Sequence, residues 1–172
     1  MTVAAIRLAI DADVKRIATL ATQVYLDTYA TGGVWNTIAD EIAEYFSLAA
    51  MQRTLDHPDR RILIAERGDR LLGFIQFCSG SAQPLVGGRS PAEIERLYVQ
   101  RAQANTGIGS QLLSRAESML GADGCDRVWL TAWAENARAI DFYSRRGYLD
   151  VGQSFYEFQG ERYENRVFAK PL

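Results

Sequence analysis

The stretch NTGIGSQLL, Asn105 to Leu113, sets two glycines around one isoleucine just ahead of an apolar helical pattern. It follows AEIERLYV, Ala92 to Val99, where Ile94, Arg96 and Tyr98 alternate with Glu95, Leu97 and Val99. That alternation is the period of a strand with two unlike faces. A strand, a glycine turn and a helix in this order constrain the fold more tightly than any other feature of the chain. The glycines let the backbone approach a neighbour closely. The first N–H groups of a helix lack intrahelical partners, and the macrodipole makes that end positive. Such a turn suits an anion, and a phosphate above all.

The remaining elements are read from periodicity and turn chemistry. Val3 to Ala9 reads as a strand, and Asp11 as the N-cap of a helix over about Ala12 to Thr28. Thr31 to Gly33 breaks the pattern. Asn36 to Ser47 is a second helical stretch, and a short further piece covers Leu48 to Leu55. Ile62 to Glu66 and Leu71 to Cys78 form a hairpin about RGDR, and Ser81 to Pro91 is a loop. The helix after the glycine turn carries Leu112, Leu113, Ala116, Met119 and Leu120 as its stripe and ends at Gly121. Arg127 to Trp133 is a strand. Asn136 opens a last helix, with Arg145 and Arg146 in its final turn and Gly147 as its stop. Two strands around QGER close the chain. This order predicts one α/β domain over residues 1–172 with a mixed, mostly antiparallel sheet.

Composition narrows the class. A chain of 172 residues with 48% apolar and 23% charged residues can bury a sizeable core. A net charge of −2 and a pI near 5.5 disfavour nucleic acid as a partner. No apolar run is long enough to cross a bilayer, and the first residues lack the pattern of a signal peptide, so a cytoplasmic location is expected. Cys78 and Cys125 form no C-x-x-C pair, and His57 is the one histidine. That supply predicts two reduced, mostly buried thiols and neither a metal site nor Cys–His or Ser–His catalysis.

Spacing excludes two phosphate-binding turns. A dinucleotide fingerprint needs a third glycine or an alanine where Leu112 stands, and a nucleoside-triphosphate loop needs a lysine that is absent here. A third comparison succeeds. IERLYVQRAQANTGIGSQLLSRA followed by VWLTAWAENARAIDFYSRRGYLDVG resembles the GNAT superfamily of N-acetyltransferases. Gly107 and Gly109 match the glycines of its cofactor turn. Asn136, Ala139, Phe142, Tyr143, Gly147 and Tyr148 match its second motif. The family's Gln or Arg at the head of the turn falls on Ala104, with Gln103 one place early, so one side-chain contact to the pyrophosphate is lost. Within the superfamily, EIERLYV, VWLTAW and the tail RVFAKPL resemble the PaiA-type spermidine/spermine N-acetyltransferases.

The resemblance implies a GNAT fold: one twisted sheet of about seven strands flanked by about four helices. It implies direct transfer of an acetyl group from acetyl-CoA to an amine. Asn105, Thr106, Gly107, Ile108, Gly109 and Ser110 would hold the CoA pyrophosphate. The backbone at Leu97, Tyr98 and Val99 would pair with the pantetheine. In the family that strand bulges away from its neighbour, and an N–H near Leu97 or Tyr98 polarises the thioester carbonyl. Glu95, with Glu93 as the alternative, would take the ammonium proton, and Tyr143 would return one to the thiolate. Phe142 lies beside that tyrosine. Asn136 would hold the pantetheine or cap its own helix.

The acceptor is expected to be a small amine, a polyamine first. Tyr25, Asp27, Tyr29, Trp35, Asp40, Glu41, Glu44, Trp133, Tyr156 and Glu157 are candidates for its cleft, since a polyamine wants carboxylates and aromatic faces. A protein or peptide amine is the alternative acceptor, and a non-catalytic acyl-CoA sensor the alternative class. A monomer or a homodimer is expected, the latter through a strand edge in the C-terminal part.

Overall fold

The computed structural model describes residues 4–172; Val3, read as the start of the first strand, lies outside them. The elements run β1 (Ala5–Leu8), α1 (Val14–Tyr29), α2 (Asn36–Tyr45), α3 (Leu48–Asp56), β2 (Arg60–Arg67), β3 (Arg70–Ser79), β4 (Pro91–Val99), α4 (Ile108–Ala122), β5 (Arg127–Trp133), α5 (Ala137–Ser144), β6 (Leu149–Phe158) and β7 (Glu161–Pro171). Short 3-10 turns precede α1 and α4. The seven strands form one sheet in the order β1-β2-β3-β4-β5-β7-β6, with β4 and β5 parallel. This is the mixed sheet that the sequence predicts. Its C-terminal edge belongs to β6, because β7 pairs with both β5 and β6. Among the described residues no helix is long and apolar enough to cross a membrane.

The chain divides into two compact units. One comprises the chain up to Phe77 together with Arg96–Ala116; the other comprises Cys78–Glu95 and Glu117–Leu172. In the first, α1 buries Val14, Ile17, Ala18, Leu20 and Ala21 against Phe46, Met51, Ile62, Ile64 and Phe74. The helical spacing of the α1 positions supplies that apolar stripe. In the second, Trp129, Val167 and Ala169 pack with Val86, and the Trp129 indole N–H donates to the Ser81 carbonyl at 2.8 Å.

The start of α1 differs from the sequence reading. The chain first makes a 3-10 turn over Asp11–Asp13, and the capping carboxylate is that of Asp13, not Asp11. Asp13 Oδ2 accepts the Ile10 N–H at 2.9 Å, and the Asp13 N–H donates to the Ile10 carbonyl at 2.8 Å. The second helical stretch ends at Tyr45, because Phe46 is buried and Ser47 caps α3 by accepting the Ala50 N–H. Arg145 and Arg146 lie just past α5, so the left-handed Gly147, φ +82°, ends the turn that follows the helix. Neither cysteine forms a disulfide and both are buried, as expected.

Asp13 is 1% exposed, and it anchors a four-residue ion network in the first unit. Arg7 donates to Asp13 at 2.7 and 3.0 Å and to Glu66 at 2.7 and 3.2 Å. The β1–β2 register pairs Ala5 with Glu66 and Arg7 with Ile64, so Arg7 and Glu66 are diagonal neighbours. Arg16 joins both carboxylates and also donates to the Asp69 carbonyl. The Arg7 hydrogen bonds hold the carboxyls of Asp13 and Glu66 below their ordinary ranges. Groups that titrate lower when folded contribute stability above their unfolded range, near pH ~4, and lose it as pH falls through the folded values. Asp13→Asn is expected to cost roughly 1–3 kcal/mol at neutral pH and to flatten the acid decline in stability. Thermal melts of both proteins between pH 7 and pH 3 measure this, and parallel curves would assign the network no net role.

Candidate active site

β4 is the strand on which the sequence places the chemistry. It pairs with β5 at three positions only: Pro91 with Arg127, Ala92 with Val128 and Glu93 with Trp129. β5 meanwhile pairs with β7 along its whole length, from Arg127↔Pro171 to Trp133↔Asn165. So the β4–β5 ladder ends after Glu93 among the described residues, and Ile94 to Val99 run on past it. A parallel ladder that stops in mid-strand leaves backbone along β4 for another extended chain to approach.

In the first unit, the far end of β4 is held from the β3 side. The Gln100 N–H donates to the Leu72 carbonyl at 2.9 Å. A Cβ built on Gly73 would stand 2.9 Å from the Tyr98 carbonyl oxygen, 3.1 Å from Val99 Cγ2 and 3.3 Å from Val99 Cα. Only a glycine lets β3 pass that close to Tyr98 and Val99. Sequence reading passed over this residue, although a lone glycine inside LLGFI is the signal for a close backbone approach.

The chain then reaches the glycine turn by a 3-10 turn over Arg101–Gln103 rather than running into it directly. Ala104 is extended at its end, and Asn105 and Gly107 take positive φ of 62° and 87°. The Thr106 hydroxyl donates to the Gln103 carbonyl at 2.7 Å. The first bond of α4 runs from the Gln111 N–H to the Gly107 carbonyl at 3.0 Å. Ile108, Gly109 and Ser110 therefore form its first turn, with Ile108 buried at 3% and its neighbours half-buried.

In the second unit, Glu93 and Glu95 share a face of β4, as their parity requires. Their carboxylate oxygens and the Cys78 sulfur lie within 4.8 Å of one another. The Ser81 hydroxyl donates to Glu93 at 2.7 Å. Neither Cys78 nor Ser81 carried a sequence signal, because each reaches Glu93 only through tertiary structure. On α5, Asn136 caps its own helix by accepting the Ala139 N–H at 3.1 Å. Tyr143 is 8% exposed and packs on the rings of Phe142, Tyr148 and Phe168 at 5.1, 5.6 and 6.4 Å. Beside it, the Tyr148 hydroxyl donates to Glu117, which also holds Lys170 at 3.0 Å. Burial, above all, pushes the Tyr148 phenol up.

With that strand, turn and helix in place, the family can be compared. A family model, the acetyltransferase (GNAT) family, matches residues 27–148, well over half of the chain. The chain belongs to that family. This GNAT protein is 27% identical over 135 residues to an uncharacterised N-acetyltransferase of Mycobacterium tuberculosis, covering 78% of this chain and 82% of the relative. Its fold is similar to that of the PaiA N-acetyltransferase of Thermoplasma acidophilum, solved with coenzyme A, at a TM-score of 0.74 and 22% identity over all of both chains. It is also similar to Arabidopsis thaliana NAA60, solved with acetyl-CoA, at a TM-score of 0.71 and 18% identity over 98% of each chain.

The residues expected to wall a GNAT acceptor cleft fall in both units. In the first, Tyr25 packs in tilted contact with Tyr29 at 4.7 Å and with Phe46 at 5.2 Å, and Tyr98 meets Phe46 edge-on at 6.3 Å. Burial raises the Tyr29 phenol. Asp27, Trp35, Asp40 and Glu44 are exposed, whereas Glu41 is 4% exposed. The acidic run on α2 is therefore not one face: Asp40 and Glu44, four apart, point to solvent and Glu41 points inward. In the second unit, Trp133 is half-buried, Tyr156 stacks on Phe158, and the exposed Glu157 pairs with Arg162.

Gly73→Ala is expected to force β3 and β4 apart at Tyr98. It should cost about 1–3 kcal/mol and speed exchange of the Gln100 amide. Thermal melts and hydrogen exchange check this, and an alanine variant with unchanged protection at Gln100 would remove Gly73 from the account.

Proposed function

We propose that this chain, acting as one catalytic domain, transfers the acetyl group of acetyl-CoA directly to the nitrogen of a small primary amine. The observation that carries the reading is the β4–β5 ladder that ends after Glu93. It supports an extended pantetheine arm lying along Leu97, Tyr98 and Val99. The glycine turn follows on the same chain, and the N–H groups from Asn105 to Ser110 would take the pyrophosphate at the positive end of α4. Ala104 offers no side-chain donor there, so the backbone carries that contact.

The chemistry needs proton movements at the amine nitrogen and at the departing thiolate. An amine with a lysine-like pKa near ~10.4 enters as an ammonium ion, and a base must take its proton before attack. Glu95 fills that role in this reading, with Glu93 held beside it by Ser81. The free amine attacks the thioester carbon, and the oxyanion is stabilised by a backbone N–H near Leu97 or Tyr98. The C–S bond breaks, Tyr143 gives its proton to the departing thiolate, and the amide nitrogen gives up its second proton, which restores the Tyr143 phenol. Asn136 positions the start of α5, and Phe142 packs against Tyr143. Within the small-amine class the sequence points to a polyamine first; Asp40 and Glu44 face solvent, so only the rings of Tyr25 and Tyr29 favour it.

Thiol release from acetyl-CoA with a panel of amines tests the reading. Tyr143→Phe should keep the fold and lower turnover by roughly tenfold to a thousandfold. Glu95→Gln should do the same and Glu93→Gln much less. Unchanged turnover in Tyr143→Phe would withdraw the acid role, and a larger loss in Glu93→Gln would exchange the two glutamates. Acetyl-CoA binding without thiol release on any amine would favour a sensor.

A further inference from the structure

The first unit holds a cation that no fold contact neutralises. Arg96 lies on β4 and is half-buried. Its Nη1 donates to Gln76 Oε1 at 3.0 Å, and its guanidinium sits 5.3 Å from the centre of the Phe46 ring. Among the described residues no carboxylate stands within ion-pair reach of it. In the same unit Arg7 and Arg16 each bind two carboxylates.

This arrangement is costly as mere packing. Taking a charge partly out of water without a counter-ion loses solvation that a ring and an amide only partly return. Gln76 is 1% exposed and Phe46 5%, so both supports are fixed by the core. They hold the guanidinium in one place and occupy one of its five N–H donors, leaving a planar fork that matches a carboxylate. A pre-positioned fork with donors to spare and no internal counter-ion is what an anion-binding residue requires.

Its surroundings say which anion. Arg96 and Tyr98 share a face of β4, about 7 Å apart at two residues' rise, and Tyr98 and Phe46 join the Tyr25–Tyr29 pair. Tyr25 and Tyr29 are candidates for the acceptor side, and Leu97, between Arg96 and Tyr98, is where the thioester carbonyl is read to lie. We propose that Arg96 binds the carboxylate of the acceptor, and that the acceptor is an amine with a carboxylate a few bonds from its nitrogen, as in an α-amino acid. This inference rests on the acetyl-transfer reading and names its substrate class. For a polyamine the same guanidinium is a repulsive charge.

Paired acceptors that differ only in the carboxylate test it. Thiol release from acetyl-CoA is followed with phenylalanine and phenethylamine, with methionine and 3-(methylthio)propylamine, and with spermidine. The intact protein is expected to favour the acid of at least one pair by ~10-fold or more in kcat/KM, the scale of a charged hydrogen bond. Arg96→Gln should collapse that ratio toward one, chiefly through the KM of the acid, and Arg96→Lys should restore part of it. Equal or better use of the decarboxylated amines or of spermidine by the intact protein would overturn the assignment while leaving acetyl transfer standing, and it needs no folded variant. A ratio unmoved in folded Arg96→Gln would also overturn it. Silence with every acceptor would overturn the transfer reading and the inference with it.

Discussion

Everything proposed for this chain depends on how far β4 stays with β5. Parallel strands share evenly spaced, slanted hydrogen bonds, and nothing in the pattern itself stops them after three residues. Here β5 keeps its full ladder to β7, so the departure belongs to β4. On its other side β4 is drawn close to β3, where Gly73 lets the Tyr98 carbonyl come nearer than any side chain allows. One strand is thus held firmly on one side and released on the other. A backbone in that state can pair with a cofactor without first breaking a bond of its own.

The two faces of β4 carry unlike side chains by parity. Glu93 and Glu95 stand on one face, near the Cys78 sulfur and the Ser81 hydroxyl. Ile94, Arg96 and Tyr98 stand on the other, where Arg96 meets Phe46 and Gln76. The opening of α1 solves a different problem: Asp13, Glu66, Arg7 and Arg16 satisfy one another, and Asp13 caps the turn as well. In contrast to that closed network, Arg96 meets an amide and a ring.

Much of the fold was legible. The strand Arg127 to Trp133 was read at its observed bounds, because VWLTAW is apolar and bounded by turn residues. The hairpins, the glycine turn ahead of α4 and the Asn136 cap all carry local chemistry that acts within a few residues. The misreadings were local competitions decided elsewhere. Asp11 reads as the cap, but Asp13 takes the Ile10 N–H while Arg7 of β1 and Arg16 of α1 hold its carboxylate. Asp40, Glu41 and Glu44 read as one acidic face until the pitch of α2 turns Glu41 inward.

By itself the sequence determined the element order, the two-faced strand, the glycine turn and the family, because these depend on period, turn chemistry and motif spacing. Tertiary structure alone decided where β4 leaves β5, that Gly73 sits beneath Tyr98, and that Cys78 and Ser81 gather at the glutamates. It also decided that Arg96 is held by Gln76 and Phe46, with no carboxylate beside it among the described residues. These are contacts between residues distant in the chain. No local pattern encodes them, since each depends on strand register and on which side chains the core leaves room for.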